Sequence, residues 1–420
     1  MYADSVLRNW DIRSVFVMII VKNINDLREV IKRPMESNLQ FFSDFEYLED
    51  KLSLVEENLY YWNGEPISIV KDGYDNSKLN VVELFCGCGG TSLGFEMAGF
   101  NIALGVDIHL SSIDTFVFNH NNASVILGDI KRVSPKIVND LLNRQPIDVL
   151  IAGVPCQGFS LNNRKRHIDD KRNYLYKEFI KFVRELKPRA IVLENVSGMA
   201  STGDIVKQIE SEVGEASGLR ISHRMLDAQD YGVPQKRRRL VFIGVGKEYF
   251  DFDSIEQTHG PYFDKPFTTV YDAIGDLPRL TSGQCSQVYD KMPETDYQRL
   301  MRDGCNTLLN HVAPKHPQET IDKIKRTPPG MPMYPKFKQR IRLSWDNLSP
   351  TQVSGGIRPQ FQFGHPEDAR GLTIRERCRI QSFPDSFYVA GGIVQGRVQT
   401  GNAVPPLLAK AIAIAIKGYL

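Results

Sequence analysis

The sequence predicts an α/β protein with a doubly wound, mostly parallel sheet and a second, smaller irregular domain. Short apolar runs alternate with helical patterns from residue 79 onward. A glycine-rich turn follows the first of these runs, and acidic residues or a cysteine follow later ones. Because the carboxyl ends of parallel strands meet at one edge of a sheet, these turns predict a ligand site at that edge.

The apolar runs divide the chain into four segments. Buried strands are expected at 80–85, 101–106, 124–127, 148–152, 190–193 and 239–245. Helices are expected at 92–98, 174–186, 373–381 and 406–418. The alternation fails between about 246 and 366, which is rich in Pro, Gly, Tyr, Gln and Arg. We therefore expect a mostly helical extension of unassigned role, a regular domain, an irregular domain and a closing segment: residues 1–78, 79–246, 247–365 and 366–420.

The composition excludes several classes of protein. The chain has 420 residues, 42% of them hydrophobic, and a formal net charge of +2, so it is globular and only mildly basic. Its six cysteines show neither a disulfide framework nor zinc-ligand spacing, which predicts a reducing compartment and no metal. The apolar run 15–21 is too short to span a membrane and lacks a signal-peptide cleavage site.

The turn at 85–94 has the features of a nucleotide-binding loop. Its glycines allow a tight turn and close approach of the backbone to a ligand. Asp107 follows the second strand and could accept from ribose hydroxyls, and Asp129 follows the third and could accept from an adenine amino group. Either acid could instead cap a turn. A nicotinamide site is disfavoured, because Ser92 stands where the dinucleotide fingerprint has its third glycine.

A second group of strand ends predicts nucleophilic chemistry. Pro155 fixes the backbone before Cys156, directly after an apolar strand. Glu194 follows the next strand, where partial desolvation would raise its pKa. Arg237 and Arg239 alternate into a core strand, so both could face the site or pair with Glu194. A thiol beside an acid suits addition to an electron-poor ring.

With these motifs assembled, the chain resembles the DNA (cytosine-5)-methyltransferase family over roughly residues 79–420. Six motifs occur in the family's order: ELFCGCGG at 83–90, PCQ at 155–157, ENV at 194–196, QKRRR at 235–239, RERCRIQSFP at 375–384 and GNAVPP at 401–406. The departures are small. Glu83 replaces the usual Asp, Cys86 replaces a small residue, and Asp107 replaces the usual Glu.

The resemblance implies a Rossmann-like methyltransferase domain that binds S-adenosyl-L-methionine and releases S-adenosyl-L-homocysteine. The matching cofactor positions are Phe85, Gly87, Gly90, Asp107, Ile108, Asp129, Ile130, Pro155, Asn402 and Val404. It also implies that the closing segment completes this domain and that residues 247–365 form a target-recognition domain. Within that domain Lys336, Lys338, Gln339 and Arg340 could read bases or simply face solvent.

The implied reaction methylates C5 of a flipped-out cytosine through a covalent adduct between Cys156 and C6. Glu194 would act at N3 and the exocyclic amine, and Arg239, supported by Arg237, would hold the O2 edge. The residues expected to contact DNA are Gln157, Ser160, Arg164, Lys165 and Gln235. The implied setting is a bacterial cytoplasm, with a monomer acting on double-stranded DNA beside an independent restriction endonuclease.

Two alternatives remain open on the sequence. An RNA cytosine-5 methyltransferase shares the fold, although the long recognition region favours DNA. A silent DNA-binding homologue would also share it, although the presence of Cys156, Glu194 and Arg239 argues against a loss of activity.

Overall fold

Nine strands form a single sheet in the computed structural model, which describes residues 19–21, 66–71, 73–155, 175–201, 203–354 and 361–420. In chain order they are β1 (Ile19–Val21), β2 (Ile67–Ile69), β3 (Asn80–Leu84), β4 (Asn101–Asp107), β5 (Ser124–Leu127), β6 (Val149–Gly153), β7 (Ala190–Val196), β8 (Ile221–Asp227) and β9 (Arg238–Val245). The predicted α/β fold class is confirmed.

The order across the sheet is β1-β2-β5-β4-β3-β6-β7-β9-β8. The five central strands, β5-β4-β3-β6-β7, are all parallel to their neighbours, whereas β2 and β9 run antiparallel to β5 and β7. The chain moves outward from β3 to β5 and then returns to add β6 on the other side of β3. This reversal between β3 and β6 creates a switch point, where open α/β sheets bind ligands beyond the carboxyl ends of the strands.

Helices cover both faces of the sheet. Those between the strands are α1 (Gly90–Met97), α2 (Leu110–Asn119), α3 (Pro135–Leu141), α4 (Tyr176–Leu186) and α5 (Gly203–Ser217). Leu104 and Val106 share one core cluster with residues of α3, α4 and α5. Gly105 points the other way, because a Cβ placed there would lie 2.6 Å from the ring of Phe116 in α2. Alternation along β4 therefore places α2 opposite α3–α5, as a doubly wound sheet requires.

Contacts divide the chain into two compact units. The first unit contains the described residues up to Leu226, with 239–254 and 413–420, and the second contains 227–238 and 255–412. The later helices are α6 (Val270–Ile274), α7 (Asp296–Arg302), α8 (Gln318–Arg326), α9 (Ile374–Ile380), α10 (Ile393–Asn402) and α11 (Pro406–Lys417). Beyond the strand ends at residues 227 and 238, the described part of the second unit has only isolated bridges such as Arg342↔Gly364. The boundaries expected at 246 and 366 stay predictions.

The structure adds strands that the sequence pattern did not predict. In the extension expected to be mostly helical, Ile19–Val21 and Ile67–Ile69 are strands, and the second pairs with β5. Strand β8 lies at the sheet edge and contains exposed His223 and Arg224, so it lacks the continuous apolar run that marks a central strand. Among the described helices, none combines the length and apolar character that a membrane span requires.

Candidate active site

The glycine-rich loop between β3 and α1 is built from left-handed backbone. Phe85, Gly87 and Gly89 have φ angles of 56°, 54° and 89°. A Cβ at Gly89 would lie 2.3 Å from Nε2 of His120, so only glycine fits at that position. A Cβ at Gly87 would meet nothing within 4 Å, so the loop faces open space on that side. Such a loop can bring its backbone against a bound ligand.

Glu83 is a buried acid beneath this loop. It is 2% exposed, and its Oε2 accepts hydrogen bonds from the Ser92 amide, at 3.1 Å, and from the Ser92 hydroxyl. Burial raises the pKa of Glu83 to about 7, against the lowering effect of its hydrogen bonds from Ser92 and Thr91. The Glu83 side chain thus accepts from the Ser92 amide, one of the first-turn amides of α1 that have no acceptor within the helix. The sequence analysis singled out Glu83 only as a departure from the usual Asp of the family it resembles, and did not anticipate this contact.

The acids expected to contact the cofactor follow strands β4 and β5. Asp107 is 9% exposed, and its carboxylate accepts from the amide of Gly87 at 2.9 Å and from the amide of His109 at 2.8 Å. The Asp129 carboxylate accepts a hydrogen bond from the amide of Lys131 at 3.0 Å. This bond caps a local turn, which is the alternative role that the sequence allowed for this acid. Ile108 and Ile130 follow these acids directly. The bond from Gly87 ties the glycine-rich loop to the end of β4.

The end of β6 brings the acid of β7 toward the same loop. Gly153 is paired with Glu194 in the parallel β6–β7 register. A Cβ at Gly153 would lie 3.7 Å from the carbonyl oxygen of Phe85 and 3.8 Å from Oε2 of Glu194. The Glu194 carboxylate therefore lies close to both the cofactor-type loop and the strand that leads to Cys156. Pro155 is exposed at the end of this segment.

Five predicted site residues lie outside the described part of the chain: Cys156, Gln157, Ser160, Arg164 and Lys165. Their roles stay predictions from the sequence.

Glu194 and Arg239 form an ion pair across strands β7 and β9. Oε1 of Glu194 lies 2.6 Å from Nε of Arg239, and the two side chains are 14% and 9% exposed. In the antiparallel register Arg239 is opposite Val196, so its side chain reaches Glu194 diagonally on one face of the sheet. Burial lowers the pKa of Arg239, and the charge of Glu194 opposes that shift. Of the two arginines that the sequence offered as partners, the structure pairs Arg239 with Glu194.

Arg237 has surroundings different from those predicted. It is fully buried in the second unit, where its guanidinium donates to the carbonyls of Gln352 at 3.0 Å, Gly401 at 2.9 Å and Ala403 at 2.7 Å. The prediction assumed alternation along a strand, but β9 begins only at Arg238. Arg237 therefore precedes the regular pleat and fastens the segments that contain residues 352 and 401–403.

Gln235 also faces the protein interior, although the sequence suggested a contact with DNA. It is fully buried, its Oε1 accepts from the amide of Gln352 at 2.9 Å, and its Nε2 donates to the carbonyl of Ile380 at 3.4 Å. Both ends of the amide are thus used within the second unit. A charge run such as QKRRR does not reveal which of its members are buried.

The remaining predicted residues lie in the second unit. Asn402 is exposed at the last position of α10, and Val404, two residues further, is buried. Of the candidates for base reading, Lys336, Lys338 and Gln339 are exposed, whereas Arg340 is buried with its guanidinium 4.6 Å from the ring centre of Phe337. The three exposed side chains are free to meet a ligand of that unit.

A glycine loop after β3, acids after β4 and β5, and the Glu194–Arg239 pair near the end of β6 define an α/β protein with a nucleotide-type ligand site at the carboxyl edge of its sheet. A family model, C-5 cytosine-specific DNA methylase, matches residues 79–418, and the chain belongs to this family. The predicted activity, methylation of DNA cytosine at C5 in the restriction–modification class, is confirmed by this match and by the curated relatives.

Those relatives are bacterial Type II methyltransferases. M.DdeI of Desulfomicrobium norvegicum is 35% identical over 378 residues, which cover 81% of this chain and 89% of the relative. M1.HphI of Haemophilus parahaemolyticus is 35% identical over 351 residues, covering 80% and 86%. Among solved structures, an E. coli prophage protein described as a DNA modification methyltransferase matches with a TM-score of 0.68 and 26% identity, covering 81% of this chain and 99% of its own. The Dnmt2 methyltransferase of S. pombe, at 15% identity and a TM-score of 0.53, covering 82% of this chain and 98% of its own, shares the fold.

Proposed function

We propose that the enzyme methylates one cytosine within a short specific duplex DNA sequence, through a covalent bond between Cys156 and C6 of the flipped-out base. The observation that supports this most directly is the Glu194–Arg239 ion pair beside Gly153 and the glycine-rich loop. It sets an acid and a guanidinium side by side at the end of the strand that precedes Cys156.

The pair matches one edge of cytosine. O2 and N3 are adjacent on the ring, and N3 is followed by the exocyclic amine. A guanidinium donates to O2, and a carboxyl group shares a proton with N3 and accepts from the amine. Because both side chains are almost buried, these contacts are made away from competing water, where they are stronger. Glu194 and Arg239 thus orient the base and draw electron density from C6.

Bond changes then follow at the ring. The Cys156 thiolate adds to C6 while Glu194 supplies a proton to N3, which gives C5 the character of an enamine carbon. C5 would then take the methyl group as its bond to the cofactor's sulfonium breaks, with the bonding pair left on that sulfur. Water removes the C5 proton, the Cys156 sulfur leaves C6 as a thiolate, and N3 returns its proton to Glu194 as the ring is restored. A thiol has an ordinary pKa of about 8.5, so nearby cations must favour its thiolate. The base must leave the stack, because C5 and C6 are not accessible to these groups within a duplex.

The residues around the glycine loop fit S-adenosyl-L-methionine. The Asp107 carboxylate is suited to ribose hydroxyls, Asp129 to an adenine amine, and the open side of Gly87 leaves room for a ligand against the backbone. When bound, this cofactor supplies a methyl group on a sulfonium. We assign the other cofactor contacts to Phe85, Gly90, Ile108, Ile130, Pro155, Asn402 and Val404, with no metal required.

The biological setting is also a proposal. We infer a monomer that protects bacterial DNA in the cytoplasm, beside a cognate endonuclease that acts independently. The similarity to Type II methyltransferases supports this setting. Arg164, Lys165, Gln157 and Ser160 would contact the DNA, and residues 247–365 would select its sequence.

Methylation mapping tests the proposal. Purified protein and S-adenosyl-L-methionine are incubated with random-sequence duplex DNA, which is then sequenced with a readout for 5-methylcytosine. Methylation confined to one short motif is the expected result, and the same protein is assayed on tRNA. Transfer to tRNA alone, or no transfer by a folded protein that binds the cofactor, would overturn the proposal in favour of an RNA substrate or a silent binding protein.

A further inference from the structure

One stretch of the second unit is strongly basic. Seven basic residues and no acidic residue occur from Lys323 to Trp345, whereas the whole chain has a formal net charge of only +2. The rest of the chain is therefore net negative, and this stretch carries the excess of positive charge. A local patch of this kind attracts a polyanion even where the total charge of the protein is small.

Residues 330–342 of this stretch form an irregular antiparallel hairpin, which we call the basic hairpin. The amide of Met333 donates to the carbonyl of Arg340 at 2.8 Å, and the chain reverses direction between these two residues. The residues at the tip, 335–339, are all exposed. The hairpin therefore presents its turn, and not its paired backbone, to solvent.

The base of the basic hairpin is fixed to the end of α8. The guanidinium of Arg342 donates to the carbonyl of Thr327, directly after α8, at 2.9 Å. Met333 shares a buried apolar cluster with Ile324 of α8. Because both strands of the hairpin are held in this way, its tip is placed before any ligand binds, which reduces the entropy lost on binding.

The tip combines two unpaired charges with an exposed ring. Lys336 and Lys338 form no ion pair with any residue that the structure describes. Phe337 lies between them in the chain and is 40% exposed. The buried guanidinium of Arg340 lies 4.6 Å from the centre of the Phe337 ring and supports it from the protein side. The ring is thus held in place and remains partly accessible.

A groove of duplex DNA matches both properties of the tip. Phosphates line the rims of a groove and attract ammonium groups, whereas base edges, including the apolar methyl group of thymine, form its floor. The major groove is wide enough to admit a two-stranded ribbon. An acidic protein surface would match the lysines but would leave the Phe337 ring against charged groups.

We propose that the basic hairpin enters the major groove, with Lys336 and Lys338 on backbone phosphates and the Phe337 ring against base edges. The proposal rests on the proposed action of the enzyme on DNA. It assigns different roles to residues of one segment, because the lysines fix the position of the second unit on the duplex and Phe337 contacts the bases. Arg340 is a positioning residue, which acts through the ring of Phe337.

The first test measures how DNA binding by the full chain depends on salt. A double variant, Lys336→Gln with Lys338→Gln, loses two phosphate contacts. The slope of log affinity against log salt should become shallower by about 1.8, which is about a twelvefold effect over a fourfold range of salt. The change should be the same on every duplex sequence, because phosphates carry no sequence information.

A second double variant, Lys187→Gln with Lys247→Gln, is the matched control. Both lysines are exposed, and they belong to the first unit. Lys187 precedes β7 and Lys247 follows β9, whose last residue, Val245, pairs with Ala190 at the start of β7. They therefore lie at the edge of the sheet opposite to the strand ends that carry the site, and this variant should keep the wild-type slope.

The second test removes the ring and leaves the charges. Phe337→Ala should lower the affinity for DNA by about fivefold or more while the salt slope stays at the wild-type value. Phe337→Tyr keeps the ring and should restore most of the affinity. Tyr249→Ala is the control, because Tyr249 is an exposed aromatic residue of the first unit whose ring also lies near an arginine, 5.5 Å from Arg220. It should bind DNA as wild type does.

Two results would overturn the proposal, provided that the variants melt near the wild-type temperature. One is a wild-type slope in the variant with both tip lysines replaced, and the other is wild-type affinity in Phe337→Ala. A shallower slope on tRNA but not on duplex DNA would overturn the DNA assignment in favour of RNA.

These readouts also separate this proposal from the proposed function, because binding needs no methyl transfer. Loss of DNA affinity in the hairpin variants, with no 5-methylcytosine formed by wild type, would count against the proposed function alone. Methylation of one short motif by wild type, with unchanged DNA binding in the hairpin variants, would count against the basic hairpin alone.

Discussion

Oε1 of Glu194 lies 2.6 Å from Nε of Arg239, although 44 intervening positions separate these residues in the chain. The contact exists because β9 returns antiparallel to β7 and brings Arg239 opposite Val196. Each side chain compensates the charge of the other in an almost buried setting. The two side chains are therefore coupled, and removing either one takes from the other a charge that offsets the cost of its burial.

Substitutions of Glu194 and Arg239 should have coupled effects on the rate of methyl transfer. Glu194→Gln removes the group that shares a proton with N3, so we expect the rate of methyl transfer to fall about 10²- to 10⁴-fold. The rate for Arg239→Gln should fall by a similar factor. In the double variant the increase in activation free energy should be far smaller than the sum of the increases in the two single variants. Single-turnover assays of methyl transfer measure the rates. As a control, titration with S-adenosyl-L-methionine should give each variant an affinity for the cofactor near that of wild type. Strictly additive losses would contradict the coupling.

The nucleophile is a separate prediction from the sequence. Cys156→Ser should abolish methyl transfer, because a hydroxyl group remains protonated where a thiol can be activated, while cofactor affinity stays near that of wild type. Cys285→Ser is the control, since Cys285 is a free, exposed cysteine of the second unit, and it should retain full activity. Full activity of Cys156→Ser would exclude the covalent mechanism.

Glu83 should make stability fall as the pH rises. Its pKa is about 7 in the folded protein because the carboxyl is buried, against 4.5 for a free glutamate. As the pH rises, the unfolded chain therefore releases this proton at a lower pH than the folded protein does. The contribution of Glu83 to stability is complete below pH 4.5 and is lost as the pH rises to about 7. The rise of the pKa from 4.5 to about 7 corresponds to roughly 3 kcal/mol in the free energy of unfolding.

Denaturant unfolding at several pH values measures this effect. The difference between wild type and Glu83→Gln should change across pH 4.5–7 and level off above it, since glutamine does not titrate. Glu256→Gln, which removes an exposed acid, should follow the wild-type curve. A constant difference between wild type and Glu83→Gln would show that Glu83 is ionised throughout this range.

The motifs predicted a site at the strand ends, whereas tertiary packing decides which of the described candidate side chains face it. The parallel strands and their functional ends could be predicted because each is a local apolar run followed by a turn. Arg237 and Gln235 could not be placed, because their partners at Gln352 and Gly401 are more than 100 residues away in the chain. The Glu83–Ser92 contact could not be seen either, since it depends on where β3 meets the first turn of α1.

Gly401 should tolerate no side chain. A Cβ there would lie 2.3 Å from the amide nitrogen of Ser354 and 2.4 Å from the carbonyl carbon of Val353, and backbone atoms cannot move aside as a side chain can. The Gly401 carbonyl also accepts from Arg237 at 2.9 Å, so a shift of the helix end would weaken that bond. Gly401→Ala should therefore lower the free energy of unfolding by about 1–3 kcal/mol or more. Thermal unfolding measures the change, and Gly418→Ala is the matched control because its nearest contact would be an ordinary 3.5 Å. Equal melting temperatures for the two variants would mean that the segment at 353–354 can yield, and that the close approach of Gly401 to it does not constrain the fold.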